Sequence, residues 1–566
     1  MNKNRLTQTQ IIVLVLLAIL DCCVVTCLGS IIMTQTLNRD TNPAQAIPQA
    51  ADTSVATAPT VTMTPPPTLT PRPAPPTWTP NPTATPVGWD KLYTFHETYC
   101  PFLIPMGQAV TCGDVYLPET RGESPLGIVK LAVSIYHSRS ANPAPDPVLY
   151  LSGGPGGEAV EMMIDLYYEF ISPLLEERDV IVFDQRGTGI SEPSLICLEY
   201  ENVVEKDLAE ILSSEEKSEA YQQAFRHCQN RWSTRGVNLA AYTSAENASD
   251  INDLVYILGY EQINLYGVSY GTRLALTVMR DYPDIVRSAV LDSVVPIEMP
   301  MYNDLPRSTD HLLNNIFTAC ANDARCAATY PNLEDTYYAL LDQLDAAPVE
   351  LWASSPGNKM YYIKINGTKF LSGLFGAAYY TELLPYIPSV IANTANGDYE
   401  MLEWFVGIAV NVQTHVQSVG MTLSVECHEE IFATTVDAMR EDFERYPHVA
   451  ELAYQSTFGD PSTVQTICEE WGAAPFDPIE GQPVISDIPT LVLAGEFDPI
   501  TPVYYAQTVA DTLLNSYFFE FPAQGHGVSL WQSECAANIA RTFVIAPWAV
   551  PDANCIANMP AIRFAQ

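Results

Sequence analysis

The sequence predicts an α/β fold in which a mostly parallel central sheet is split by an inserted, mainly helical cap. Short apolar runs at 148–151, 180–183, 263–266 and 289–291 alternate with helix-compatible stretches, the pattern of buried parallel strands joined by crossover helices. The alternation stops after Pro296, and from 297 to 485 the chain reads as helical and aromatic, with Tyr337-Tyr338, Tyr361-Tyr362, Tyr379-Tyr380 and Trp404-Phe405. Strand signals return at 491–494 and 517–521, followed by a last helix around 531–544. The sheet is thus expected from 90–296 and 486–566, with the cap between them. A chain of 566 residues needs such a division, because single cores stop growing at about 250–300 residues.

Ahead of this lies a segment with a different composition. Lys3 and Arg5 lie in a short N-terminus, 1–10, expected to stay cytoplasmic, and 11–33 is apolar apart from Asp21 and a few small polar residues. That length suits a membrane anchor. Asp21 is costly inside a bilayer and keeps a cleaved signal segment open as the alternative. Cys27 offers a lipoprotein reading, which the preceding Thr26 fits poorly. All three readings export the rest of the chain. Residues 34–89 are rich in Thr, Pro and Ala and are expected to form an extended, semi-rigid stalk that buries no core.

Sixty-six acidic against 27 basic residues give a net charge of −39. Such a surface repels phosphate backbones, which excludes nucleic acid as a partner class, and its plain consequence is solubility. Ten of the 13 cysteines follow the stalk, an even number that suits an oxidising compartment. Pairing successive cysteines gives Cys100–Cys112, Cys197–Cys228, Cys320–Cys326, Cys427–Cys468 and Cys535–Cys555, although spacing alone does not fix connectivity. Local bridges of this kind contribute about 2–4 kcal/mol each. No Cys and His spacing resembles a zinc site, and no metal or organic cofactor is implied.

Ser269 sits in Gly267-Val268-Ser269-Tyr270-Gly271 directly after an apolar run, where a sharp strand-to-helix turn exposes a hydroxyl above a sheet edge. A serine hydroxyl needs an imidazole to take its proton and a carboxylate to orient that imidazole. Asp498 follows the 491–494 run and His526 follows the 517–521 run, so the expected catalytic set is Ser269, Asp498 and His526. Asp292, at the end of the 289–291 run, is the rival acid. Asp498 is preferred because Pro499-Ile500-Thr501-Pro502 forms a tight turn able to aim its carboxylate inward. Gly153-Gly154-Pro155-Gly156-Gly157 follows the first strand of the core, and the N–H groups of Gly154 and Tyr270 are the expected oxyanion donors. Asp184 and Arg186, after the next strand, are expected to brace this loop.

Taken together, these motifs fit an α/β-hydrolase. Gly-Gly-Pro-Gly, Asp-Gln-Arg-Gly-Thr-Gly-x-Ser, Gly-Val-Ser-Tyr-Gly-Thr and Asp-Pro-Ile-Thr-Pro before Gly-His-Gly resemble the prolyl and tripeptidyl aminopeptidase family of that fold over about 93–556. The resemblance implies an exported serine exopeptidase acting on peptides with free N-termini, with Ser269 as nucleophile, Asp498 as acid, His526 as base, and Gly154 and Tyr270 as oxyanion donors. Ser152 stands where many prolyl enzymes have His, which favours the tripeptidyl branch. An aminopeptidase must also bind a protonated amine, for which a buried carboxylate is the natural partner. Glu429, Glu430, Glu469 and Glu470, each just after a cysteine of the expected Cys427–Cys468 bridge, are the candidates for that contact, with Thr501 a further candidate for substrate binding. An esterase of the same fold is the alternative, since the catalytic set does not distinguish amide from ester. A non-catalytic binding module on a stalk is a third reading, which the complete set of catalytic residue types disfavours.

Overall fold

The computed structural model describes residues 92–121, 127–354, 359–415 and 418–565, without the side chains of 409–415, 531 and 532. The expected N-terminus, anchor and stalk lie outside the described residues. Among the described residues, no helix is long and apolar enough to cross a membrane.

Nine strands form one sheet: β1 (Phe95–Thr98), β2 (Val110–Pro118), β3 (Ile128–Tyr136), β4 (Val148–Leu151), β5 (Val180–Phe183), β6 (Ile263–Val268), β7 (Val286–Asp292), β10 (Thr490–Gly495) and β11 (Ser516–Phe521). Their order is β1-β2-β3-β5-β4-β6-β7-β10-β11. The pairs from β1 through β5 are antiparallel, and every pair from β5 to β11 is parallel. All six strands expected from the sequence are present, each at or within a few residues of its expected limits. The three N-terminal strands were not expected, although Val110–Pro118 and Ile128–Tyr136 carry β-branched and aromatic residues suited to a pleated surface.

The parallel strands are apolar throughout because both faces are covered. Leu149, Leu151, Ile181, Phe183, Leu265 and Leu291 join one apolar cluster, while their neighbours Val148, Tyr150, Val182, Tyr266 and Val290 join another. Side chains alternate between faces with a period of two, so a continuous apolar run is what two covered faces require.

Between β7 and β10 the chain is mainly helical, beginning with the helix Met301–Asn322. It also contains an antiparallel hairpin, β8 (Val349–Ser354) with β9 (Met360–Ile365), which the helical expectation for 297–485 did not include. Leu312, Phe317, Leu340, Ile363, Phe370 and Phe405 belong to an apolar cluster centred in this segment.

The five disulfides are Cys100–Cys112, Cys197–Cys228, Cys320–Cys326, Cys427–Cys468 and Cys535–Cys555, the pairing of successive cysteines expected from the sequence. Arg186 departs from expectation. It is fully buried and makes paired hydrogen bonds of 2.7 Å to both oxygens of Asp250, with further bonds to the carbonyls of Glu119 and Ala241. It therefore fastens the helix Ser244–Ile257, and the loop after β4 is braced by Asp184 instead.

Asp250 also receives Arg121 at 2.6 Å. Burial alone would push its carboxyl pKa up, but the two guanidiniums outweigh it and hold the value below the ordinary carboxylate range. A depressed folded-state pKa stabilises above the unfolded value of about 3.9 and loses that contribution as pH falls through the folded value. Replacing Asp250 with Ala strips two arginines of their counter-charge and is expected to cost about 3–5 kcal/mol, read as a lower urea midpoint. A loss below about 1 kcal/mol would contradict this.

Candidate active site

Ser269 occupies the turn between β6 and the helix Tyr270–Asp281, with φ 57° and ψ −128°. This conformation is strained for a residue with a side chain and costs on the order of 1–3 kcal/mol. The turn closes only because its flanking residues are glycine. A Cβ on Gly271 would strike the carbonyl of Leu151, and one on Gly267 the carbonyl of Gly271. Tyr270 opens the helix, so its N–H belongs to the first turn, where no intrahelical acceptor exists. The Thr272 N–H bonds the Ser269 carbonyl at 2.8 Å, closing the turn.

Asp498 and His526 follow the ends of β10 and β11, on the same edge of the parallel sheet as Ser269. His526 Nδ1 lies 2.8 Å from Asp498 Oδ2. Both residues are buried, 6% and 1% exposed, which screens the pair from water. Burial opposes the imidazolium, but the Asp498 charge and hydrogen bond outweigh it, so the His526 pKa stands above its ordinary value. Burial likewise opposes the Asp498 carboxylate, and His526 with the Thr501 hydroxyl and N–H reverses the balance and lowers its pKa.

Thr501 is placed against the acid. Its N–H meets Asp498 Oδ1 at 2.9 Å and its hydroxyl meets Asp498 Oδ2 at 2.7 Å. At 1% exposure it braces the carboxylate.

The rival acid has another partner set. The Asp292 carboxylate accepts the N–H groups of Val528 and Ser529 and the Ser529 hydroxyl, at 2.6–3.0 Å. Its carbonyl accepts the Ser269 N–H at 3.0 Å. Neighbouring Ser293 accepts the Gly527 N–H at 2.8 Å. Asp292 and Ser293 thus tie the turn of Ser269 to the loop of His526.

The glycine loop after β4 turns sharply through Gly154 and Gly156, which have φ of 119° and 99°. Gly153 lies against Ser269, since a Cβ there would come within 3.6 Å of the Ser269 Oγ. Asp184 Oδ1 accepts the N–H groups of Ala159 and Val160 at 2.7 and 2.9 Å, holding the far end of the loop as expected. From the helix Val419–Glu426, the Thr422 hydroxyl donates to the Pro155 carbonyl at 2.6 Å.

A cavity of about 450 Å³ adjoins these loops. Thr422 lines it and touches the glycine loop. Ile500 lines it and bonds Asp498 through its N–H. Phe375 lines it and packs on Tyr379, whose ring lies 5.0 Å from that of His526. The loop of Asp498 thus lines the cavity directly through Ile500, while the glycine loop touches a residue that lines it and the His526 ring is one aromatic contact further away.

The four glutamates fall elsewhere than expected. Cys427 and Cys468 are bonded, but Cys468 and Trp471 face inward on their helix, which leaves Glu469 and Glu470 on the opposite, exposed side. Glu470 pairs there with Arg226 at 3.0 Å. Glu429 and Glu430 are buried, and both bond Arg273 at 2.8 Å. Glu429 also accepts the Ser244 N–H and hydroxyl, and Glu430 accepts the Met301 N–H at 2.6 Å. Their oxygens serve this internal cluster and none lines the cavity.

Among the described residues two acids do line the cavity, Asp207 and Glu426, and the sequence reading missed both; the one on the helix of Thr422 is Glu426. The Tyr302 hydroxyl donates to its Oε2 at 2.7 Å. Burial, against that bond and with the nearby Glu430 charge, pushes its pKa up to about 7. It stands four residues after Thr422 on one helix, hence one turn along the same face. Among the described residues, no group of three or more His, Cys, Asp or Glu side chains gathers as a metal site would.

The chain belongs to the α/β-hydrolase fold family, whose model matches residues 146–533. It is 22% identical over 410 residues to the serine protease Hip1 of Mycobacterium tuberculosis, covering 69% of this chain and 77% of that one. It is 27% identical over 191 residues to the tripeptidyl aminopeptidase of Streptomyces lividans, covering 33% and 35%. Among solved structures, a thermophilic esterase from Thermogutta terrifontis aligns with TM-score 0.35 at 17% identity, covering 77% of this chain and 99% of that one. The protein is a hydrolase of this fold.

Only a neutral imidazole can take a proton from a serine hydroxyl. The rate at which a fluorophosphonate labels Ser269 is therefore expected to fall as pH drops through a midpoint above the ordinary histidine value of about 6.5. Asp498→Asn removes the charge that raises this midpoint, moving it down and slowing labelling by about 10⁴-fold at neutral pH. A midpoint unmoved by Asp498→Asn would contradict the pairing.

Proposed function

We propose that the protein is an exported serine exopeptidase that releases amino acids or short peptides from the free N-termini of peptides. In this reading Ser269 Oγ attacks the scissile carbonyl while His526 Nε2 takes its proton. The N–H groups of Tyr270 and Gly154 hold the oxyanion. Collapse breaks the C–N bond, the leaving amine takes the proton from His526, and an acyl ester remains on Ser269. Water, deprotonated by the same imidazole, then releases the acyl half as a carboxylic acid.

The observation that carries the reading is Glu426 in the cavity wall, one helical turn beyond Thr422 and its contact with the glycine loop. A carboxylate with one oxygen held by Tyr302 is suited to receive a substrate ammonium on the other, in surroundings where a charge-assisted bond counts for more than in water. The names of the relatives, a serine protease and a tripeptidyl aminopeptidase, support a peptide substrate. Five disulfides support an oxidising, extracytoplasmic location, with 11–33 as its membrane anchor or signal segment and 34–89 as the stalk.

The test is a panel of fluorogenic peptides of one to three residues, with free and acetylated N-termini, and a simple ester. Free-amine peptides are expected to be cleaved, and acetylation to lower kcat/KM by about 10- to 100-fold or more, the worth of one hydrogen bond to a charged group. Glu426→Gln is expected to raise KM on free-amine peptides by a similar factor. With the Glu426 pKa near 7 and a peptide amine near 8, KM should be lowest between those values. Turnover of the ester with none of any peptide would reject the exopeptidase reading.

A further inference from the structure

The cavity beside Glu426 has a wall made of aromatic rings. Tyr200, Tyr221, Phe225 and Phe458 all line it. They also contact one another, with ring centroids 5.7 Å apart for Tyr200–Tyr221, 5.4 Å for Tyr200–Phe225, 4.8 Å for Tyr221–Phe458 and 5.4 Å for Phe225–Phe458. The rings come from three separate pieces of chain: the helix Leu198–Ala209, the helix Ser214–Thr234 and the turn after the helix Ala450–Ser456.

Two features fix this wall. The Cys197–Cys228 disulfide joins the first two helices three residues from Tyr200 on one and three residues from Phe225 on the other. On the second helix that spacing puts Cys228 and Phe225 on one face. Phe458 has φ 58°, a left-handed conformation uncommon for a bulky side chain. Gly459 follows it at φ 105° and approaches Ser214 so closely that a Cβ would meet the Ser214 carbonyl oxygen at 2.7 Å. Backbone strain at this turn is spent on presenting an aromatic ring to the cavity.

The cavity's described lining holds two acids and one cation, and the cation is engaged. Glu426 and Asp207 line it. Lys369, the cation of its lining, gives its ammonium to the carbonyls of Asp207, Leu208 and Glu210. The described lining therefore offers no available base to an acidic side chain, and the net charge of −39 repels acidic peptides at a distance as well.

We infer that this cavity is a specificity pocket for a large apolar side chain, aromatic or branched aliphatic, in the part of the peptide that is released from the N-terminus. The inference rests on the exopeptidase reading. It follows because the pocket lies on the side of the amine-accepting Glu426, which is the acyl half of the substrate, and because its wall is aromatic and its cation engaged. Peptides carrying Asp or Glu in that half are the ones it rejects.

The experiment compares free-amine fluorogenic substrates that differ only in the released residues, carrying Phe, Leu, Ala, Gly, Asp or Lys, on the full chain. Phe and Leu are expected to exceed Gly by about 10- to 100-fold in kcat/KM, with Asp the poorest. Phe458→Ala is expected to narrow the Phe-to-Gly ratio by about tenfold, with fluorophosphonate labelling of Ser269 as the check that the variant is folded. Ser372→Phe, which fills the cavity from the helix Gly367–Ala377, is expected to narrow the same ratio and covers the case in which Phe458→Ala does not fold. Equal kcat/KM across Phe, Gly and Asp would overturn the pocket and leave the exopeptidase reading standing. No turnover of any free-amine peptide would overturn that reading and the pocket with it.

Discussion

The carboxyl end of β7 is the point on which the active site depends. Asp292 takes the Ser269 N–H on its carbonyl and the N–H groups of Val528 and Ser529 on its carboxylate. Ser293 takes the Gly527 N–H on its hydroxyl and gives its own N–H to the Leu493 carbonyl of β10. Residues from the turns after β6 and β11, and β10 itself through Leu493, are thereby referred to one fully buried pair. Burial pushes the Asp292 pKa up against the pull of these donors, so removing a donor would cost more than a surface hydrogen bond does. A parallel sheet makes this economy possible, because strands running the same way deliver their following loops to one edge.

A second buried cluster links that edge to the cap. Arg273, on the helix that Ser269 opens, holds Glu429 and Glu430. Glu429 reaches Ser244, whose hydroxyl meets the Tyr270 hydroxyl at 2.9 Å. Glu430 reaches the Met301 N–H where the first cap helix begins. Burial pushes the Glu430 pKa up to about 7 even with Arg273 and Met301 pulling the other way. Buried ion pairs of this kind add little to stability against an apolar replacement, but they leave an uncompensated charge when one partner is lost. That makes them suited to fixing geometry, here the link between the helix that follows Ser269 and the first cap helix at Met301.

The features legible in the sequence were those carried by short, contiguous stretches. Gly267 to Gly271 encode their own turn, since only glycine fits where the chain passes the Leu151 carbonyl. Asp498 was readable through the Pro499 to Pro502 turn that wraps its carboxylate, in which Thr501 bonds both carboxylate oxygens. The disulfides followed successive cysteines because each closes a short stretch of chain, 41 residues at most. What depended on helix phase was not legible. Cys427–Ile431 forms a π turn, which rotates Glu429 and Glu430 inward to Arg273 and leaves Glu426, one residue before the cysteine, in the cavity wall. The cap hairpin was hidden for a similar reason, because β8 and β9 carry aromatic residues that read equally well as part of a helical, aromatic segment.

The central claim is that Ser269 carries the amine-bearing half of a peptide as an ester during turnover. The most direct measurement is rapid acid quenching of the full chain with a free-amine peptide, followed by peptide mapping by mass spectrometry. The account predicts a transient mass increase equal to the N-terminal fragment, located on Ser269 and missing in His526→Ala. A fragment mass on another residue, or turnover of the same peptide by Ser269→Ala at an undiminished rate, would contradict it.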